Sequence, residues 1–374
     1  WFTNIEGFGR KTRNRLLDIF ESPERLYSAG DDILANINFI GEKRIKALSE
    51  SKKQCQEKEL EKLIKSGIYF IHKESSGYPS KLKYIPDMPH SLYLKGDVCQ
   101  NNTYSAIFDM PSAAVVGSRK CSKYGYESAY RIGYELAAAG VSVVSGMARG
   151  IDSAALMGCV HAGGIPVAVL GCGVDVCYPP VNINLYTDIS KKGVIMSEYP
   201  PKTAPLPGLF PERNRIISGL GDVLIVVEAG ERSGTFITVD MALEQGREVY
   251  AVPGRITDGQ SRGCNSLIAQ GACVFMGMDD IVDCAKNAAG RHKALERITE
   301  RGNYEEMKTV ENCTSGTVLN EKKVYSAVGI LPKHIDVIAR ETGLGIEEVM
   351  AIVCRLELKK LIKHTDNNYF ILNW

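Results

Sequence analysis

The chain has 374 residues, 44% hydrophobic and 24% charged. At roughly 150 residues per domain, that length predicts two to three domains. No apolar run approaches the roughly 20 residues that span a bilayer, and disordered and collagen-like classes are excluded as well. Lysine plus arginine number 45 against 44 for aspartate plus glutamate, a formal charge of +1, so any polyanion partner has to be held by a local cradle and not by overall charge.

Trp1 opens the chain with no charged-then-apolar leader, which reads as a trimmed boundary without a secretion signal. Eleven cysteines form no C-x-x-C pair, and the closest two are Cys172 and Cys177. This odd, scattered set points to reduced thiols and a cytoplasmic location, and away from a disulfide framework or a zinc site.

Residues 1–65 read as short helices. Two segments resemble each other: Ile5-Glu6-Gly7-Phe8-Gly9 ahead of Arg10–Leu17, and Phe39-Ile40-Gly41-Glu42-Lys43 ahead of Arg44–Leu48, each a glycine turn before a basic helix. A glycine hairpin exposes backbone N–H groups that can hold a phosphate, and the pair resembles a helix-hairpin-helix unit of the SAM-like kind. The second copy departs from it with Asn38 in place of the first hairpin glycine, and a module that only packs is the other reading. Residues 66–112, with Pro79, Pro86, Pro89 and Pro111, read as an extension of turns and one or two strands leading into the core.

From Ala113 onward the pattern changes. Apolar runs at Ala113–Val116, Val141–Ser145, Ile165–Leu170, Val194–Ser197, Val223–Val227, Val249–Val252 and Cys273–Met276 alternate with helical stretches. Such runs mark a parallel sheet buried on both faces, so residues 66–285 are expected to form a doubly wound, Rossmann-like α/β core. Residues 286–317 are polar and lack an apolar face, as in a linker. Residues 318–374 read as a winged helix, with Ile346–Leu358 as the candidate recognition helix and Asp366-Asn367-Asn368 as the wing tip. That helix carries Glu347, Glu348 and Glu357 beside Arg355, which favours a protein-contact or structural role over DNA reading.

Four loops at strand ends carry the chemistry, because helix N-termini converge at the C-terminal edge of an open α/β sheet. The first is Gly117-Ser118-Arg119-Lys120, with Ser122 beyond it. There Gly117 allows close approach, the two serines offer hydroxyls, and Arg119 offers a fork for phosphate. The second is Ser145-Gly146-Met147-Ala148-Arg149-Gly150-Ile151-Asp152, which also reads as a tight turn capped by Asp152. In the third, Phe210-Pro211-Glu212-Arg213-Asn214-Arg215, two arginines beside an aromatic would form a cation rim with a stacking face. A salt-bridged helix start is the alternative. The fourth, Glu228–Thr235, places Ser233, Gly234 and Thr235 where successive amides could wrap an anion.

Read in order, these segments resemble the DNA-processing protein A (DprA/Smf) family. The resemblance also rests on Gly171-Cys172-Gly173-Val174-Asp175, Tyr178-Pro179, Ser218-Gly219-Leu220, Val252-Pro253-Gly254, Tyr78-Pro79 and Leu92–Gly96. It implies sequence-independent binding of single-stranded DNA, loading of the RecA recombinase in natural transformation, competence and DNA recombination, and a homodimer formed through the core. It further implies no catalysis and no cofactor. Carried over by motif, Gly117, Ser118 and Arg119 would hold phosphates, Ser145, Gly146 and Ala148 would line the pocket, and Phe210 would stack on a base. Arg213, Asn214, Arg215, Ser233, Gly234 and Thr235 would complete the cradle.

Two enzyme classes stand as competitors. Phosphoribohydrolases of the lysine-decarboxylase-like group share such a core and place a catalytic glutamate three residues after a Gly-Thr pair; here that position is Thr238, with Asp240 nearby. A dinucleotide-binding oxidoreductase would need G-x-G-x-x-G, and the first loop has only Gly117 and Gly125. The six histidines are scattered and form no metal-binding motif.

Overall fold

Short β-branched runs that are apolar on both faces are stable only when helices cover both sides of the sheet. The computed structural model satisfies this with one sheet of nine strands: β1 (Ile68–His72), β2 (Ser91–Lys95), β3 (Ser112–Val116), β4 (Ser142–Ser145), β5 (Pro166–Leu170), β6 (Val194–Ser197), β7 (Val223–Val226), β8 (Glu248–Ala251) and β9 (Cys273–Val274). Their spatial order is β1-β2-β6-β5-β4-β3-β7-β8-β9. Strands β3 to β9 pair in parallel, while β2 runs antiparallel to β6 and to β1. The structure describes the chain apart from residues 6, 31–32, 35–36, 54–55, 100–103, 291–319, 321–322, 326, 329–332, 359–361, 366–368 and 373–374. It divides into two compact units, Trp1–Leu295 and Glu296–Trp374.

The helices of the first unit include α1 (Arg10–Phe20), α2 (Pro23–Ser28), α3 (Glu42–Ser51), α4 (Gln56–Lys65), α5 (Tyr104–Phe108), α6 (Lys123–Ala138), α7 (Ile151–His161), α8 (Ile183–Lys192), α9 (Leu209–Leu220), α10 (Thr235–Glu244) and α11 (Arg262–Ala269). Alternation along β3 divides the core. Ala113 and Val115 meet Ile132 and Leu136 of α6, Leu156 of α7 and Ile189 of α8 on one face. Ala114 and Val116 meet Ile216 and Leu220 of α9, Val239 of α10 and Leu267 of α11 on the other. Each fully buried aliphatic side chain contributes about 1.5–3 kcal/mol. Helices α6 and α7 approach closely because Gly133 and Gly158 carry no side chain. A Cβ at either would lie 2.0 Å from a backbone oxygen of the facing helix.

The N-terminal helices enclose their own core of Ile5, Phe8, Leu16, Leu26, Leu34, Ile37, Ile40 and Leu48. Polar residues of α1 are held by partners within the chain. Arg10 pairs with Asp87, Arg13 Nη2 donates to Thr3 O at 2.6 Å, and Asn14 Oδ1 lies 3.1 Å from His90 Nε2. These partners leave the first glycine hairpin's helix with fewer cations for a phosphate than its sequence suggests.

The second unit contains α12 (Ile335–Thr342), α13 (Ile346–Leu358), β10 (Lys333–His334), β11 (Ile362–Thr365) and β12 (Tyr369–Leu372), with sheet order β10-β12-β11. Its core gathers Val324, Ile335, Ile338, Val349, Ile352, Leu356, Ile362 and Phe370. Helix α13 has the expected bounds, and Glu347, Glu348, Arg355 and Glu357 are exposed on it. The wing tip at 366–368 and most of the 286–317 linker lie outside the described residues. Among the described residues, no helix is long and apolar enough to cross a membrane.

Candidate nucleic-acid interface

The chain runs β3, β4, β5, β6 in one direction and then returns to place β7 on the other side of β3. Loops leaving β3 and β7 therefore diverge, and the crevice between them is where open α/β sheets bind ligands. A cavity of about 800 Å³ lies there.

Its walls are fixed by the backbone. Ser118 N donates to Glu228 O at 2.7 Å, and Ser118 O accepts from Ile151 N at 3.2 Å. Gly150 is essential to this joint, because its φ is +81° and a Cβ would sit 2.3 Å from Ser118 O. Behind the first loop, the buried Glu228 carboxylate accepts from Ser122 N at 2.7 Å and Ser122 Oγ at 2.6 Å, while Ser122 Oγ accepts from Gly125 N at 3.0 Å. The N-terminus of α6 thus already holds an anion from its own chain, and the Ser122 hydroxyl is not available to a phosphate.

Ten of the thirteen residues expected at the site line the cavity: Gly117, Ser118, Arg119, Ala148, Phe210, Arg213, Asn214, Ser233, Gly234 and Thr235. Arg119 is exposed, and its guanidinium lies 5.4 Å over the Phe210 ring. On the fourth loop, Thr235 N donates to Ser233 Oγ at 3.2 Å, and the Ser233 and Thr235 hydroxyls lie 2.8 Å apart. That turn presents hydroxyls at the start of α10, since its Thr235 amide is already partnered.

Three expectations are corrected. Ser145 is fully buried and donates its hydroxyl to Val115 O at 2.6 Å, cross-linking β4 to β3 below the cavity. Gly146 is also buried, its N–H donated to Asp152 Oδ2 at 3.2 Å. Arg215 is 4% exposed and points away, its Nη2 donating to both Glu198 carboxylate oxygens at 2.7 and 2.8 Å and its Nε to Asp87 O. The cause is that Phe210–Ile217 is helix and not loop. At 3.6 residues per turn, side chains two apart project to opposite sides, so Arg213 and Arg215 cannot form one rim.

Arg213 faces the crevice but lies beneath its surface, 4% exposed. Nη1 donates to Gly146 O at 3.0 Å and to Val169 O. Burial pushes its pKa down to about 10, opposed by the nearby Asp152 charge. Burial pushes the Asp152 carboxyl up, opposed by Arg213 and by the Ala148 and Gly146 backbone N–H groups.

The cavity also recruits residues that motif reading named without assigning. Lys120 and Arg232 are exposed in its wall, and Tyr178 packs on Phe210 with ring centroids 5.4 Å apart and planes tilted by 32°. Adjacency to Arg119, to Ser233 and to the Tyr178-Pro179 motif was the available signal. Thr238, the position at which a hydrolase needs its carboxylate, lines the cavity, while Asp240 is outside it. Among the described residues Asp152 is the one carboxylate in the wall, and it is occupied by backbone N–H groups.

A doubly wound core with exposed cations and paired aromatics in its switch-point crevice is a Rossmann-like fold with a candidate polyanion site. The family model for DNA recombination-mediator protein A matches residues 69–286, and that for the DprA winged helix domain matches residues 316–367. The chain is 30% identical over 380 residues to Protein Smf of Synechocystis sp., covering 96% of this chain and 94% of that protein. It is 43% identical over 205 residues to DNA processing protein DprA of Streptococcus pneumoniae, covering 55% and 70%. The solved structure of DprA from S. pneumoniae superposes with a TM-score of 0.64 at 34% identity, covering 75% of this chain and 95% of that one. A Helicobacter pylori DNA processing protein A structure, described for its single-stranded DNA binding mode, superposes at 0.50 with 25% identity, covering 58% and 94%. The chain belongs to the DprA/Smf family of DNA recombination mediators.

Proposed function

We propose that this chain binds single-stranded DNA, without sequence preference, in the crevice between the β3 and β7 loops. The observation that carries this reading is the juxtaposition of the exposed cations Arg119, Lys120 and Arg232 with the Phe210–Tyr178 pair in one cavity of about 800 Å³. Cations that neutralise phosphates give salt-dependent affinity without base discrimination. Aromatic faces take any unstacked base, at about 1–3 kcal/mol each. The cavity has the size of pockets that enclose one small ligand, about 300–1,000 Å³, and so accepts splayed nucleotides and not a stacked duplex. The ligand of the H. pylori relative supports the same reading.

The finer function follows the family. The bound strand is handed to the RecA recombinase in natural transformation and recombination, by a homodimer formed through the core, with no reaction catalysed. The test is fluorescence anisotropy of labelled oligo-dT and its duplex counterpart at several salt concentrations, with Arg119→Ala alongside. Tight, salt-sensitive, strand-selective binding weakened by the variant is the expected result; equal affinity for duplex would overturn the reading. RecA loading is measured as a shortened lag in RecA filament formation on strands coated with single-strand-binding protein. Sedimentation velocity measures the dimer.

A further inference from the structure

We propose that Arg213 is a positioning residue: it fastens helix α9 to the ends of β4 and β5, sets Phe210 opposite Arg119, and touches no phosphate. This assignment rests on the single-strand reading above and departs from the role that motif transfer implies for Arg213. Three observations carry it.

The first is where the guanidinium is spent. A phosphate ligand presents its fork to the ligand, yet Arg213 Nη1 is committed to two backbone oxygens. One is Gly146 O just beyond β4, and the other is Val169 O within β5. Its Nε has no protein partner but is itself shielded from solvent. The second is the space around it. A Cβ on Gly146 would lie 2.6 Å from Arg213 Nη2 and 2.7 Å from Asp152 Oδ2, so guanidinium, glycine backbone and carboxylate are closely packed on that side. The third is what Arg213 carries with it. Phe210 lies one turn earlier on the same face of α9, an i, i+3 relation, and both line the cavity. The ring packs on Tyr178, and the Arg119 guanidinium lies 5.4 Å from its centroid. Holding Arg213 against the strand ends therefore fixes how far Phe210 stands from the loop that carries Arg119.

A positioning role and a phosphate contact predict different salt behaviour. Each phosphate neutralised on a single strand adds about 0.7 to the slope of log affinity against log salt. The experiment uses the full chain with Arg213→Lys, which keeps the charge but replaces the planar guanidinium with a shorter side chain, and with Gly146→Ala, which keeps the arginine but displaces it. Phe210→Ala and Arg119→Ala serve as references. Binding of oligo-dT is measured across salt, and a 2-aminopurine in the strand reports base stacking.

Both Arg213→Lys and Gly146→Ala are expected to weaken binding about tenfold at fixed salt, to leave the slope unchanged, and to lose the 2-aminopurine response as Phe210→Ala does. Arg119→Ala is expected to lower the slope. A slope reduced in Arg213→Lys, or wild-type affinity and stacking in both variants, would overturn the assignment and leave the single-strand reading intact. Absence of strand binding by the wild type would remove that reading and this assignment with it. If Arg213→Lys does not fold, Gly146→Ala decides between the outcomes.

Discussion

At the N-terminal end of the parallel strands, Lys81 Nζ lies 2.6 Å from Asp222 Oδ2, 2.8 Å from Ser112 Oγ and 2.9 Å from Met110 O, with both charged side chains almost wholly buried. At the C-terminal end Arg119, Lys120 and Arg232 stand exposed around the cavity, and none of the three is in an ion pair among the described residues. Lys81 is thus spent inside the fold, whereas these three cations are presented to solvent. A buried pair is costly to desolvate and costlier still to break, so the first end serves as a clamp joining residues 80–82 to β3 and β7. Exposed cations concentrated in a concave wall raise the local potential for an anion at little cost in stability.

The variant that should separate the two ends most sharply is Asp222→Ala. It leaves Lys81 buried without its counter-charge and is expected to cost about 3–5 kcal/mol, read by chemical denaturation, with strand affinity of the remaining folded protein unchanged. Arg215→Ala breaks the pair with Glu198, whose side chains are 4% and 11% exposed. It should cost about 3 kcal/mol without altering the salt slope, although Arg215 sits two residues from a cavity-lining arginine. Phe210→Ala should act in the opposite sense, losing about 1–3 kcal/mol of strand binding with little change in denaturation midpoint. Arg119→Ala should lower the salt slope by about 0.7 per lost phosphate contact and leave folding untouched. Arg131→Ala, removing an exposed pair with Glu135 on α6, should move neither measurement; a strong effect on binding would extend the interface beyond the crevice.

The seven parallel strands were legible because short apolar runs alternate with helical stretches along the chain, and expected and observed bounds agree within two residues at every end. What eluded the sequence was direction. Arg213 and Arg215 read as one rim until Phe210–Ile217 is known to be helical, and Ser145 reads as a pocket residue until the parallel pairing of β4 with β3 places its hydroxyl on Val115 O. Lys120, Arg232 and Tyr178 were visible as neighbours of motif residues, but their convergence depends on the switch from β6 back to β7 beside β3, a relation between strands about 110 residues apart in the chain. The strands of 66–112 were anticipated as a connecting layer, whereas β1 and β2 join the sheet itself.

That last junction sets how far the core can be trimmed. Strand β2 pairs with β6 from Tyr93 to Lys95, and its Leu92, Tyr93 and Leu94 are fully buried. A fragment beginning at Ala113 would bare the hydrogen-bonding edge of β6 together with the apolar surface that β2 covers, the combination that makes sheets add strands from other molecules. Proteolytic nicking before Ile68 should release a soluble fragment, whereas nicking after Lys95 should yield one that precipitates.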